Sequence, residues 1–105
     1  SCIRSKDEKY FVGCNYENAS YSVCLCAEGS AIAAMTAAGY RDILEVVIVG
    51  SSEEPCTPCG ACRQRLREFA APNVLIHMFN KDGSKQLTKT MEELLPHSFG
   101  PDHIK

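Results

Sequence analysis

Two short stretches of this chain carry residue types that can hold a metal ion and move a proton beside it. Cys26-Ala27-Glu28 offers a thiol and a carboxylate two residues apart, and Pro58-Cys59-Gly60-Ala61-Cys62-Arg63-Gln64 offers two thiols three apart. If a helix opens after Pro58, Cys59 stands at its mouth and Cys62 one turn further in, so both sulfurs can face one ion. Three thiolates leave one position of a tetrahedral zinc open, whereas structural zinc sites fill all four. An open position beside Glu28 suits water activation, with the metal lowering the pKa of water and the carboxyl group acting as base and then acid. The expected ligands of one Zn²⁺ are therefore Cys26, Cys59 and Cys62, and the expected proton carrier is Glu28.

Each half of this pattern is weak alone. A Cys-x-x-Cys pair also serves redox exchange, although that reading expects it after the first strand of a redox fold. A structural zinc site would need a fourth ligand, and Cys24 and Cys56 are near enough in sequence to compete. The conjunction of Glu28 two residues after Cys26 with Pro58-Cys59 is what favours a catalytic site. By itself Glu28 would be a solvated acid in a first helical turn, favourable to the dipole. Asn15, Glu17 and Asn18 would be turn and cap residues, and Arg63 a surface arginine, though one residue after a ligand it stands where it could offset negative charge. His77, inside a strand, reads as a core or pocket-edge residue; His97 and His103 read as solvated tail positions.

The elements that must position these groups follow from patterning. Cys2–Ser5 and Lys9–Asn15 read as two strands of a hairpin around a polar turn, and Tyr16–Leu25 as a loop. Ala27–Ala38 turns small and helical, with Ala27, Ala31, Ile32, Ala34, Met35 and Ala38 forming an apolar face and Gly39 ending it in the left-handed position. Ile43–Gly50 is a nearly continuous apolar run, suited to a central strand covered on both faces. Gly60–Phe69 is a second helix, Val74–Asn80 a strand, and Gln86–Lys89 a short edge strand. Thr90-Met91-Glu92-Glu93 has capping-box spacing for a final helical turn before Pro96. Both metal stretches then fall at helix N-termini, where unpaired N–H groups and the dipole favour thiolate over thiol.

With 105 residues, the chain is expected to be a single domain, residues 1–105. Its net charge of −2 argues against a nucleic-acid-binding surface. No stretch approaches the roughly 18 apolar residues of a membrane span, and no signal peptide opens the sequence. Seven cysteines without a secretory leader read poorly as a disulfide framework, so reduced thiols and a cytoplasmic location are expected.

Three further segments extend the pattern. Gly13-Cys14-Asn15-Tyr16-Glu17-Asn18-Ala19-Ser20-Tyr21, the Pro58–Gln64 stretch, and Leu94-Leu95-Pro96-His97-Ser98-Phe99-Gly100-Pro101 together resemble the small homotetrameric class of cytidine deaminases. The resemblance spans almost the whole sequence. It implies an α/β fold, a three-layer α/β/α sandwich around a mixed five-stranded sheet, with the family's N-terminal helix lacking a counterpart in these residues. It implies zinc held by Cys26, Cys59 and Cys62, with Glu28 as proton shuttle and the substrate a pyrimidine nucleoside. Asn15 and Glu17 would bind the ribose hydroxyls and the Ala27 N–H the pyrimidine O2. Phe99 would stack on the base from a neighbouring subunit, and Tyr21 would lie by shared site walls, which implies a homotetramer. Where many relatives carry arginine after the Cys-Ala-Glu triplet, this chain has Gly29, so Arg63 and the helix N-termini are expected to compensate the thiolate charge. Alternatives are a blasticidin-type aminopyrimidine deaminase, which need not keep Asn15 and Glu17, and a non-catalytic zinc-stabilised module.

Overall fold

The structure, a computed structural model, describes residues 1–104. Five strands form one mixed sheet in the order β2-β1-β3-β4-β5. They are β1 (Cys2–Arg4), β2 (Tyr10–Val12), β3 (Ile43–Val49), β4 (Ala70–Phe79) and β5 (Gln86–Thr90). Pairings are antiparallel except β3 with β4, which run parallel and are joined through α2 (Gly60–Phe69). A parallel pair requires such a crossover, and here it delivers Cys59 and Cys62 to the end of β3. The helix α1 (Ala27–Ala37) lies between β2 and β3 in sequence, and α3 (Met91–Leu94) follows β5.

Register explains where the core sits. Ile3 pairs with Phe11 and Val46, and Val46 with Ile76, so these four side chains line one face. That face is closed by Ala31, Ile32 and Met35 of α1, Leu66 of α2, and Met91 and Leu94 of α3. The opposite face carries Val12, Val49 and Leu75, which are exposed. The α/β class and the mixed five-stranded sheet are as expected, but β3 is covered on one face only, because all three helices pack against the same side. The third layer of a sandwich is not supplied by the described residues. Ala34 and Ala38, expected on the apolar face of α1, are likewise exposed.

Several local readings hold in detail. Gly39 has φ 91°, the left-handed value that ends α1. The capping box of α3 is complete: Glu93 N–H donates to Thr90 Oγ1 (3.1 Å), and Thr90 N–H donates to Glu93 Oε1 (2.9 Å). Others shift for tertiary reasons. The strand expected over Lys9–Asn15 is only Tyr10–Val12; Gly13 still exchanges backbone hydrogen bonds with Ser1 (2.9 Å each), and there the chain comes against α1. A Cβ at Gly13 would stand 2.6 Å from the Ala27 carbonyl oxygen and 2.8 Å from Ser30 Cβ. Only a residue without a side chain lets the end of β2 touch the first turn of the helix. At the other end, β4 begins at Ala70 and not Val74. Chain emerging from α2 pairs at once with Ile43, and an irregularity between Ile43 and Glu45 absorbs the stretch around Pro72. The tail expected to lack regular structure forms a 3₁₀ turn at Pro101–His103.

Candidate active site

Cys26 and Cys59 each occupy the residue before a helix, with extended backbone (ψ 159° and 167°), and Cys62 sits inside the first turn of α2. The three sulfurs lie within 4.8 Å of one another, and Cys26 Sγ is 4.0 Å from Cys59 Sγ. Zinc with sulfur at about 2.3 Å in a tetrahedron needs sulfurs roughly 3.8 Å apart. The cluster is thus within a few tenths of an ångström to an ångström of the size zinc requires, and its donor chemistry is that of zinc.

The electrostatics of the three thiols differ. The Cys59 thiol is held below its ordinary range, chiefly by the Cys62 backbone N–H at the mouth of the helix. Burial pushes the Cys62 thiol up to about 12, with Cys26 and the Glu28 charge adding to it and the Arg65 guanidinium opposing. One sulfur gives up its proton readily while its neighbour resists. A dication that takes all three as thiolates removes that conflict.

Glu28 follows in the first turn of α1, 6 % exposed. None of the side-chain hydrogen bonds or ion pairs among the described residues involves its carboxylate. Its charge instead borders a cavity of about 660 Å³, lined also by Cys26, Cys59, Cys62, Ala27, Asn15 and Glu17. That volume lies in the usual range for small-molecule sites, about 300–1,000 Å³. Ala27 is the first residue of α1, so its N–H has no partner within the helix and is free at the cavity wall. Asn15 Nδ2 donates to Glu17 Oε1 (3.1 Å), and the Tyr16–Leu25 bridge pins this loop beside Cys26.

A fourth sulfur does not close the cluster. Cys24 Sγ accepts from the Asn18 N–H (3.2 Å), and neither Cys24 nor Cys56 joins the metal-sized group among the described residues. All seven cysteines are unpaired thiols. Tyr21 and Phe99 stand outside the cavity of their own chain, 88 % and 59 % exposed. Phe99 stacks on His103 with ring centroids 5.5 Å apart, and its carbonyl accepts from Gln64 Nε2 (2.8 Å).

Residues 1–78 match the family described as the cytidine and deoxycytidylate deaminase zinc-binding region. The chain belongs to this deaminase family. It is 37 % identical over 99 residues to a cytidine deaminase of Halalkalibacterium halodurans, covering 94 % of this chain and 74 % of that one. It is 41 % identical over 102 residues to a cytidine deaminase of Mycoplasma pneumoniae, covering 94 % and 75 %. The crystal structure of a cytidine deaminase from Burkholderia pseudomallei superposes with a TM-score of 0.84 at 37 % identity, over 93 % of this chain and 78 % of that one. Zinc is the cofactor of the matched family region, and the cysteine cluster is the described group able to hold it.

Two expectations about charged residues need correction. Arg63 does not face the thiolates: its Nε donates to the Pro58 carbonyl (2.9 Å) and its Nη1 to the Leu94 carbonyl (2.8 Å). One residue along a helix turns the side chain about 100° away, whereas three residues along returns it to the same face. Arg65 is therefore the arginine that reaches the cluster, its Nη1 lying 3.4 Å from Cys62 Sγ. The signal available in the sequence was the three-residue spacing of Cys62 and Arg65. His77 lies neither in the core nor at the cavity. It sits on the uncovered sheet face, where Nε2 is 2.6 Å from Glu45 Oε2 and Nδ1 is 2.9 Å from Thr88 Oγ1. His103 accepts the Gly100 N–H at Nδ1 (3.0 Å), so it closes the last turn as well as facing solvent.

Proposed function

We propose that this chain catalyses the hydrolytic deamination of cytidine or 2′-deoxycytidine, yielding uridine or 2′-deoxyuridine and ammonia. The observation that carries this reading is the opening of three thiols and one buried, unpaired carboxylate onto a single cavity. Cys26, Cys59 and Cys62 would hold one zinc per chain, which when bound supplies the Lewis acidity that makes water a nucleophile near neutral pH.

The residues of the chain account for the rest. Glu28 takes a proton from the attacking water and passes it to ring N3, which makes C4 more electrophilic as the oxygen joins it. The same carboxyl group returns the second proton to the amino nitrogen, the C4–N bond breaks, and ammonia leaves with the bonding pair. Water and cytidine are thereby converted to uridine and ammonia with no other reactant. Ala27 N–H donates to the pyrimidine O2, and Asn15 with Glu17 binds the ribose hydroxyls. A ribose-binding pair favours a nucleoside over a base-modified antibiotic. Phe99 and Tyr21, turned outward, would serve the sites of neighbouring copies in a homotetramer. With no helix among the described residues long and apolar enough to cross a membrane, and with seven free thiols, a cytoplasmic role in pyrimidine salvage is the setting we propose.

The test is ultraviolet-monitored turnover of cytidine by the zinc-loaded chain and by Glu28→Gln. Conversion by the former and not the latter is expected; equal conversion by both would refute the assignment of Glu28.

A further inference from the structure

Three thiolate sulfurs around a zinc dication would carry a net charge of −1, with the Glu28 carboxyl group lining the same cavity. Cys62, one of the sulfurs involved, is fully buried. Negative charge accumulating in a partly desolvated place needs a fixed positive partner. The N-termini of α1 and α2 supply partial charges only.

The guanidinium of Arg65 meets that need. Its Nη1 is 3.4 Å from Cys62 Sγ, while the neighbouring Arg63 is held by two carbonyl oxygens. Arg65 runs beside the opposite helix on its way to the sulfur. A Cβ at Gly29 would press on Leu25 Cδ1 at 2.7 Å and touch Arg65 Cδ at 3.7 Å, so Arg65 lies in contact with the place a side chain would start. A glycine on α1 and an arginine on α2 thus form one arrangement, although they are 36 residues apart in sequence.

We infer that Arg65 is the counter-charge of the cysteine cluster, a positioning residue acting on the metal through Cys62. This rests on the reading of Cys26, Cys59 and Cys62 as the zinc ligands. Groups bonded to metal ligands typically alter metal affinity or activity by about 10–100-fold when removed. Arg65 as a residue is exposed and is not part of the hydrophobic core, so its replacement opens no hole there.

The experiment compares the parent chain, Arg65→Gln, Arg65→Lys and Cys59→Ser. Zinc transfer to a colorimetric chelator is measured near neutral pH, and the sulfur-to-metal charge-transfer band is recorded after cobalt substitution. Arg65→Gln should surrender zinc about 10–100-fold more readily. Its cobalt band should move to lower energy, because sulfur relieved of a guanidinium donates its electrons more easily. Arg65→Lys should recover most of both effects, since it keeps the charge. If Arg65→Gln matches the parent in both readouts, or if Lys and Gln are equally impaired, the counter-charge role is overturned. Zinc retained equally by the parent and by Cys59→Ser, or by neither, would overturn the ligand assignment and the counter-charge with it.

Discussion

Replacing Glu28 with glutamine should cost activity far more than stability. The substitution removes one charge and leaves the shape almost unchanged. Glu28 is 6 % exposed, but its carboxylate borders the cavity, and neither of its oxygens is among the buried polar atoms left without a partner. Solvent in the cavity can satisfy both the carboxylate and the amide that replaces it. What the variant loses is a negative charge in the first turn of α1, worth about 0.3–1 kcal/mol through the helix dipole. For a domain of this size each kcal/mol shifts Tm by about 4–8 °C, so a fall of about 1–8 °C is expected. The same change deletes the proton carrier, and general acid–base catalysis contributes about 10²–10⁴ in rate. Scanning calorimetry in chelator would measure the first effect, and cytidine turnover with zinc restored would measure the second. Turnover within tenfold of the parent would refute the proton-carrying role. A Tm raised by more than about 4 °C would refute the claim that the cavity solvates the carboxylate.

Three further outcomes are expected. Asn80, 1 % exposed, donates to the Glu53 carbonyl (3.0 Å) and Ser84 Oγ (3.1 Å) and accepts from the Lys85 N–H (3.0 Å). Asn80→Ala should therefore cost about 1–3 kcal/mol in urea unfolding and speed amide exchange over 51–58, and a cost below about 0.5 kcal/mol would refute its bracing role. Gly13→Ala should destabilise by about 1–3 kcal/mol, because the new methyl meets the α1 backbone, and zinc should be held less firmly; an unchanged urea midpoint would contradict the close approach. Glu45 is held below its ordinary value of 4.5, first by the hydrogen bond from His77 and then by that from Arg4. A lowered carboxylate pKa gives stability that is present above about 4.5 and lost as pH falls through the folded value. Glu45→Gln should flatten that acid limb in thermal melts, and an identical limb in both proteins would disprove the linkage.

What could be read from sequence was whatever depends on neighbours in the chain. The apolar run of β3, the glycine ending α1, and the Thr90–Glu93 cap each act over a few residues, and each stands where its pattern put it. The thiol cluster was legible for a similar reason, since two helix openings each impose local geometry on their cysteines. Contacts between distant elements were not legible. Nearness in sequence favours Arg63 as the counter-charge, and that its guanidinium is taken by the Leu94 carbonyl is a tertiary fact, although the three-residue spacing of Cys62 and Arg65 was there to read. Gly13 looks like any strand glycine until α1 arrives against it. The one-sided covering of the sheet was hidden too, because Val49 and Leu75 have strand composition whether or not a layer covers them.

The gathering of Asn15, Cys26, Glu28 and Cys59 around the place where β2 and β3 run out leaves the other rim of the sheet unburdened. There Ser5 Oγ donates to the Asp42 carbonyl and Lys6 pairs with Asp42, a full length of β3 away, about 23 Å at 3.3 Å per residue. That rim is a natural handle. A fluorophore or surface tether attached at Asp7 would hold the molecule by the end remote from its chemistry, leaving substrate entry and metal exchange open to observation on the same immobilised sample.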